Sequence, residues 1–499
     1  MSDTDLKISD LLQFTKICAS EYNNPELSDR VLVLDVMQDG WDIDAILNSK
    51  SKKTAENVVK GNVGVELSIE SDDDSKSTDS NSSSDDESIN SEDSERMDFT
   101  PESTDTILTG ATQSKLLHYQ EVNTPIRQHK LYVHTFWLSV RSPYFRSLFH
   151  SSGMKENKDS DVHIKINESE ENSYLNLIKA IYQPDTINDK TVDEVLAVLE
   201  LSHKHDLKYI FKKCKYVLQS KVTKFDIAIK VMNVVKVKHD MADVEDLAIT
   251  LQLVLAEEFS PLDLNWQNEK FVTLAKPCIK YLLSSDDLIV QSENTVFHAL
   301  MYWMETNVVD SESLSQHDDL LSTIRFELVT VDYLYNVIRD NAIASKMVNF
   351  HEQYSAGMTY HAIPEEQRKL LIKQPTIRKK SEKFIFQHEY NLMPNNFDIA
   401  QETELNKLSE FWACGYKMCV GLCHNKNSLF NRYQLRLYIN NLKKESLVSL
   451  RFAIQKTKLN VRLNDSTFSL ESNSALYSCS GQPYIDRTIS TLYVAILPQ

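Results

Sequence analysis

The sequence predicts an α+β multidomain chain, with a mixed α/β segment, an all-helical segment and a C-terminal antiparallel β-sandwich in that order. Three observations predict it. Short runs of strand character lie near Leu116 to Val122, Lys130 to His134 and Val162 to Ile166, with helical patterns after them. Helical spacing prevails from Thr223 to about Asn349, as in Val296, Leu300 and Trp303, and only Pro261 and Pro277 punctuate it. After Pro375, period-two alternation recurs in Lys383-Phe-Ile-Phe-Gln, Tyr433 to Ile439, Ser446 to Ile454 and Thr491 to Leu497, separated by polar turns. At 499 residues the chain has room for two to four domains, each with its own core.

Residues 1–48 hold Ile8, Leu11, Leu12 and Cys18 at helical spacing, then Arg30-Val-Leu-Val-Leu-Asp-Val-Met37. The second run is β-branched and almost continuously apolar, which predicts a strand buried on both faces. A lone strand is not stable in water. Because the chain beyond it turns acidic, the strand is expected to dock on the C-terminal domain, whose open sheet edge accepts main-chain hydrogen bonds. Residues 49–103 form a linker. Within it, Glu70 to Glu95 carries eleven Asp or Glu, ten Ser and one Lys among 26 residues, with Ile89 its only large apolar side chain. Such a stretch cannot bury enough surface to fold. Ser71, Ser82, Ser83 and Ser84 each precede a carboxylate by three residues, a spacing suited to acidophilic kinases.

Residues 104–222 are the mixed domain, in which Thr191 and Glu194 form a capping box opening a helix with Val192, Val195, Leu196 and Leu199 inward. Residues 223–350 are the helical domain, 351–382 a linker and 383–499 the sandwich. The formal charge of −18 disfavours a chain-wide grip on nucleic acid or on an anionic membrane. No basic leader and no apolar run near ~20 residues is present, so a soluble intracellular protein is expected. Seven scattered cysteines do not make a disulfide framework.

No GxSxG, HExxH, P-loop or glycine-rich dinucleotide turn occurs, so neither a catalytic site nor a cofactor is expected. Cys414, Cys419, Cys423 and His424 have the wrong spacing for a zinc knuckle and read as small residues of a sheet. His203 and His205 read as surface residues of a helix. Arg378-Lys379-Lys380 with Lys383 is a short basic cluster of the kind that can serve nuclear import.

The segment Leu131-Tyr-Val-His134-Thr-Phe-Trp-Leu-Ser-Val-Arg-Ser142-Pro-Tyr-Phe145-Arg-Ser-Leu-Phe149 resembles the signature of BTB/POZ domains, in which a strand leads through a buried His into a helix beginning Ser-Pro-x-Phe. Ser142 suits the cap and Pro143 the first helical position, and Phe145, Leu148 and Phe149 share one face. Tyr281 to Trp303 resembles the heart of a BACK domain, two helices joined by a turn, with Ser284 and Glu293 at cap and first-turn positions. The layout is similar to that of plant BTB/POZ-BACK proteins of the light-response type, whose Ser-Asp-Arg strand motif is matched by Ser28-Asp29-Arg30, and the C-terminal pattern resembles a TRAF-like or MATH-like sandwich.

The resemblance implies a non-catalytic, substrate-specific adaptor of a cullin-3 ubiquitin ligase. It places cullin binding on Met154 and Glu156, in the turn after the Ser-Pro helix, and on Phe145 and Phe149 of that helix, with the helices carrying Phe225, Ile229 and Met232 where the family extends this contact. Its implied partners are cullin-3, a protein substrate and a second copy bound through the BTB domain, in the nucleus, the cytoplasm or both. The alternative is a BTB scaffold or transcriptional co-regulator without ligase activity.

Overall fold

The computed structural model describes residues 16–17, 19–39, 124–150, 161–308, 314–371 and 374–380, then the C-terminal strands and tight turns between residues 388 and 498. The chain divides into two compact units, Met1–Gln183 and Pro184–Gln499.

In the first unit, β1 (Arg30–Met37) is the central strand of a three-stranded sheet of order β2-β1-β3. It runs antiparallel to β2 (Arg127–Val133), with Val36 opposite Arg127, and parallel to β3 (Asp161–Asn167), with Val31 opposite Asp161. The expected docking of this strand on the C-terminal domain is therefore overturned, since both of its edges are already paired. An unbroken apolar run is the mark of a strand enclosed in a sheet, and Leu32 to Met37 are all buried. Its antiparallel partner β2 is the next strand among the described residues.

Asp35, the one charged residue of the buried part of β1, is satisfied from both sides. Gln128 donates to its Oδ1 at 2.7 Å, and His163 Nδ1 lies 2.9 Å from its Oδ2. Three helices complete the described part of this unit: α1 (Thr135–Arg141), α2 (Pro143–His150) and α3 (Glu171–Tyr182). Of the helix expected over residues 5–22, Lys16, Ile17, Ala19 and Ser20 are helical, and Glu21 and Tyr22 lie in a turn. The acidic run and the strand expected near Leu116 lie outside the described residues.

The second unit opens with α4 (Val192–Lys204), whose capping box forms as expected: the Thr191 hydroxyl accepts from the Glu194 amide at 3.3 Å and Glu194 accepts from the Thr191 amide at 3.0 Å. Then come α5 (Lys208–Lys221), α6 (Phe225–Met232), α7 (Glu245–Phe259), α8 (Lys276–Ser284), α9 (Glu293–Asn307), α10 (Phe350–Ala362) and α11 (Glu365–Leu371). The cap of α9 is Ser292, which accepts from the Asn294 amide at 3.1 Å, whereas Ser284 is the last residue of α8.

Past the helices the described residues form two antiparallel sheets. One has the order β10-β9-β13-β4, built from Asn464–Phe468, Val448–Gln455, Thr491–Pro498 and His388–Asn391. The other centres on β7 (Tyr416–His424) and β8 (Tyr433–Ile439), with β5 (Asn406–Lys407), β6 (Phe411–Ala413), β11 (Ser474–Leu476) and β12 (Tyr484–Ile485) around them. In β9, Val448, Leu450, Phe452 and Ile454 are buried while Ser449 and Arg451 are not, the period-two pattern of a half-covered strand.

Candidate protein-interaction sites

The strand-to-helix signature is built from capping and burial. Asp29, just before β1, reaches the first turn of α1, where its Oδ1 accepts from the Thr135 amide at 2.8 Å and its other oxygen takes the Thr135 hydroxyl. That is the physical work of the Ser-Asp-Arg motif: a carboxylate at a helix N-terminus, fixed by the strand beside it. His134 is half-buried, and its backbone amide donates to the Tyr182 hydroxyl at 2.9 Å. Ser142 is fully buried, and its hydroxyl accepts from the Phe145 amide at 3.3 Å, capping α2 as expected.

Phe145 and Phe149 stack at 6.1 Å between centroids and are 1% and 3% exposed. They hold α2 in place from the inside and are not available as contact surface, which corrects their assignment to a cullin interface. Met154 and Glu156 lie outside the described residues. What α1 does present to solvent is apolar: Phe136 and Val140, one turn apart, are 73% and 57% exposed, with Tyr132 beside them in sequence on β2. Met232 is core, and Phe225 packs edge-on against Phe259 at 5.7 Å, so α6 is accounted for by packing.

A second site joins the helical and β parts of the second unit. The two-residue turn Cys414-Gly415 between β6 and β7 has φ of 48° and 79°, both in the left-handed region, as a tight hairpin requires. A Cβ on Gly415 would stand 2.5 Å from the Tyr333 ring, so only glycine lets the turn approach so closely. Tyr333 and Tyr416 meet edge to face at 5.2 Å, the Ser449 amide donates to Asp332, and Asn336 donates to the Leu447 carbonyl. Beside this seam, Trp412 of β6 stacks on His298 at 4.1 Å, and Trp266 stands edge-on to His298, Tyr302 and Trp412 at 4.6, 5.0 and 6.1 Å. These rings line a cleft of about 490 Å³. Burial pushes the His298 imidazolium down to about 4, so the ring is neutral at neutral pH. No short motif announced this site, because its rings come from segments 146 residues apart in sequence.

The basic cluster is divided. Arg378 is 4% exposed and inserted among the helices, where its Nε donates to Glu293 at 2.7 Å and its Nη atoms donate to the Ser285 and Thr323 carbonyls at 2.8 and 2.9 Å. Lys379 pairs with Asp287. Arg378 thus serves as a structural tie and not as part of an exposed import signal. His205, read as surface, is buried, and desolvation lowers its pKa to about 4. Cys414 and Cys419 are buried, and among the described residues no group of three His, Cys, Asp or Glu is arranged to hold a metal.

Comparison with known proteins agrees with the signatures. A BTB/POZ domain model matches residues 115–222, and a BACK model (BTB And C-terminal Kelch) matches residues 239–339. The chain is similar to a BTB/POZ domain-containing protein of Arabidopsis thaliana, 23% identical over 347 residues, which is 66% of this chain and 62% of the relative. It is similar to Kelch-like protein 3 of Mus musculus, 27% identical over 249 residues, 50% of this chain and 40% of the relative. Kelch-like protein 41a of Danio rerio is 26% identical over 211 residues, 42% of this chain and 33% of that protein. The chain therefore spans less than two thirds of the length of these relatives. The BTB/POZ match begins at residue 115 and so omits β1, the strand that occupies the centre of the sheet. With both domains matched in order and the strand, cap and helix signatures in place, the chain carries a BTB/POZ domain and a BACK domain.

Proposed function

We propose that the chain is a substrate-recruiting adaptor of a cullin-3 ubiquitin ligase: the BTB domain docks the cullin, the BACK helices space the arms, and the C-terminal β region, read as a TRAF-like or MATH-like sandwich, holds the target. The observation that carries this reading is the succession of BTB, BACK and two antiparallel sheets in one chain. Its mechanism is proximity. A target held near a charged ubiquitin-conjugating enzyme reacts at raised effective concentration, so the chain itself needs no catalytic residue or cofactor. The exposed pair Phe136 and Val140 supports self-association through the BTB domain. The nuclear or cytoplasmic placement is part of the same proposal, and the buried Arg378 takes the basic cluster away as an argument for the nucleus.

The test is titration of the full chain with cullin-3. Replacing Met154 and Glu156 together with Ala is expected to abolish binding while stability stays within ~0.5 kcal/mol, the usual range for surface substitutions. Unchanged cullin affinity in the folded double variant overturns the assignment of the turn, and absence of cullin binding by the unaltered chain overturns the adaptor reading in favour of a scaffold without ligase activity.

A further inference from the structure

The cleft between the BACK helices and the β6–β7 hairpin has a chemistry that selects a ligand. His298, Met301, Tyr302 and Glu305 recur at i, i+3, i+4 and i+7, so one face of α9 supplies a continuous wall. Trp266 and Trp412 close it with indole rings. The cleft volume of about 490 Å³ falls within the range typical of ligand sites.

Its charge is one-sided. Glu305 is exposed at the rim and makes no ion pair among the described residues. Lys417, the one basic side chain in the lining, is already paired with Glu410, which leaves the rim with an uncompensated carboxylate. Aromatic faces carry negative potential and attract cations, most strongly tryptophan. A guanidinium is the cation that both stacks flat on an indole and meets a carboxylate with two parallel hydrogen bonds.

We infer that this cleft binds an arginine side chain of a target polypeptide, packed against the half-buried Tyr302 and Trp412 rings and paired with Glu305. The origin of that polypeptide, a protein brought for ubiquitination, rests on the adaptor reading; the arginine chemistry does not. Hydrogen-bond capacity for the flanking main chain is present in the side-chain amide of Gln267 and the side-chain oxygen of Asn440, whose Nδ2 already donates to Glu410 at 2.6 Å.

The experiment uses the full chain and three labelled peptide libraries that differ only in a fixed central residue, arginine, lysine or citrulline, the neutral isostere of arginine. Binding is read by fluorescence polarisation and by quenching of tryptophan emission. The arginine library is expected to bind best, with citrulline at least about tenfold weaker, as loss of a charge-assisted hydrogen bond and a cation–π contact requires. Glu305→Gln, at an exposed position that leaves the fold intact, is expected to weaken the arginine library by about tenfold and the citrulline library hardly at all. Trp412→Leu is expected to weaken both. Equal binding of arginine and citrulline, indifference to Glu305→Gln, or no binding by any library overturns the inference. Cullin-3 titration of the Glu305→Gln chain separates the two readings: arginine-dependent binding without cullin binding retains the cleft and refutes the ligase, whereas cullin binding without arginine dependence does the reverse.

Discussion

The central place of β1 in the first sheet fixes the two ends of the long β1–β2 connection side by side, and the length of that connection then has a calculable effect on stability. Val36 pairs with Arg127, so 90 residues intervene. Replacing residues 40–123 with a four-residue turn keeps Asp39, which accepts from the Ser169 amide at 2.9 Å, and Ile126, whose amide donates to the Val36 carbonyl at 2.7 Å. The connection shrinks ninefold. Closure entropy scales as (3/2)RT ln n, so the shortened chain is expected to gain about 2 kcal/mol in the stability of the first unit.

Chemical denaturation of the full chain, followed by hydrogen exchange of peptides covering 30–37 and 127–133, measures that gain where it arises. The slow-exchanging amides of β1 and β2 are expected to become slower by the factor that 2 kcal/mol implies, roughly thirtyfold, while the helices of the second unit stay unchanged. Collapse of protection in β1 on excision refutes the reasoning, because it means that the insert, and not the neighbouring strands, holds β1 in place. Protection lost instead from the C-terminal sheets revives the docking that the register of β1 excludes.

Two further outcomes follow from buried charge. Arg378→Ala removes the closest partner of Glu293, itself 5% exposed, leaving it Arg325 at 4.0 Å, and is expected to cost about 3 kcal/mol in thermal or urea unfolding, whereas Arg378→Met combined with Glu293→Leu recovers most of the loss; equal damage from the single and the double change contradicts the ion-pair account. His298 titrates near 4 in the folded chain against about 6.5 unfolded. Between those values the unfolded state binds a proton that the folded state refuses, so its contribution is complete above pH 6.5 and falls with pH. The unaltered chain is therefore expected to lose about 2 kcal/mol relative to His298→Phe between pH 7.5 and pH 5. Asp263, whose buried carboxyl is raised to about 6, has the opposite sign and cancels in that comparison. Parallel profiles for the two proteins refute the assignment.

Local chemistry made much of the fold readable. Thr191 and Glu194 announced a capping box because the pairing lies within one turn, and Ser142-Pro143 announced a helix start for the same reason. The burial of Leu32 to Met37 was equally readable, since an almost unbroken apolar run marks a strand enclosed in a sheet. Its partners were not. Pairing is a relation between distant segments, and the acidic run after β1 hides its pairing with β2, the next strand among the described residues. Arg378 shows the same limit from the charged side. A run of three basic residues looks solvated until the carboxylate that neutralises one of them, 85 positions away, is placed beside it.

The cleft at the seam of the second unit lies at the far end of this scale. Trp412 reaches His298 only because Ala413 and Tyr416 pair across a two-residue turn, and that turn can be so tight only because Cys414 and Gly415 adopt positive φ. The turn in turn seats on Tyr333, where a single methyl at residue 415 would collide with the ring. One glycine thus sets the approach of the hairpin to the helices, and the hairpin sets where the indole stands over the wall of α9. Each residue alone reads as ordinary core or ordinary turn. The ligand chemistry appears only when the rings of Trp266, Tyr302 and Trp412 converge beside a carboxylate, Glu305, that no cation among the described residues neutralises.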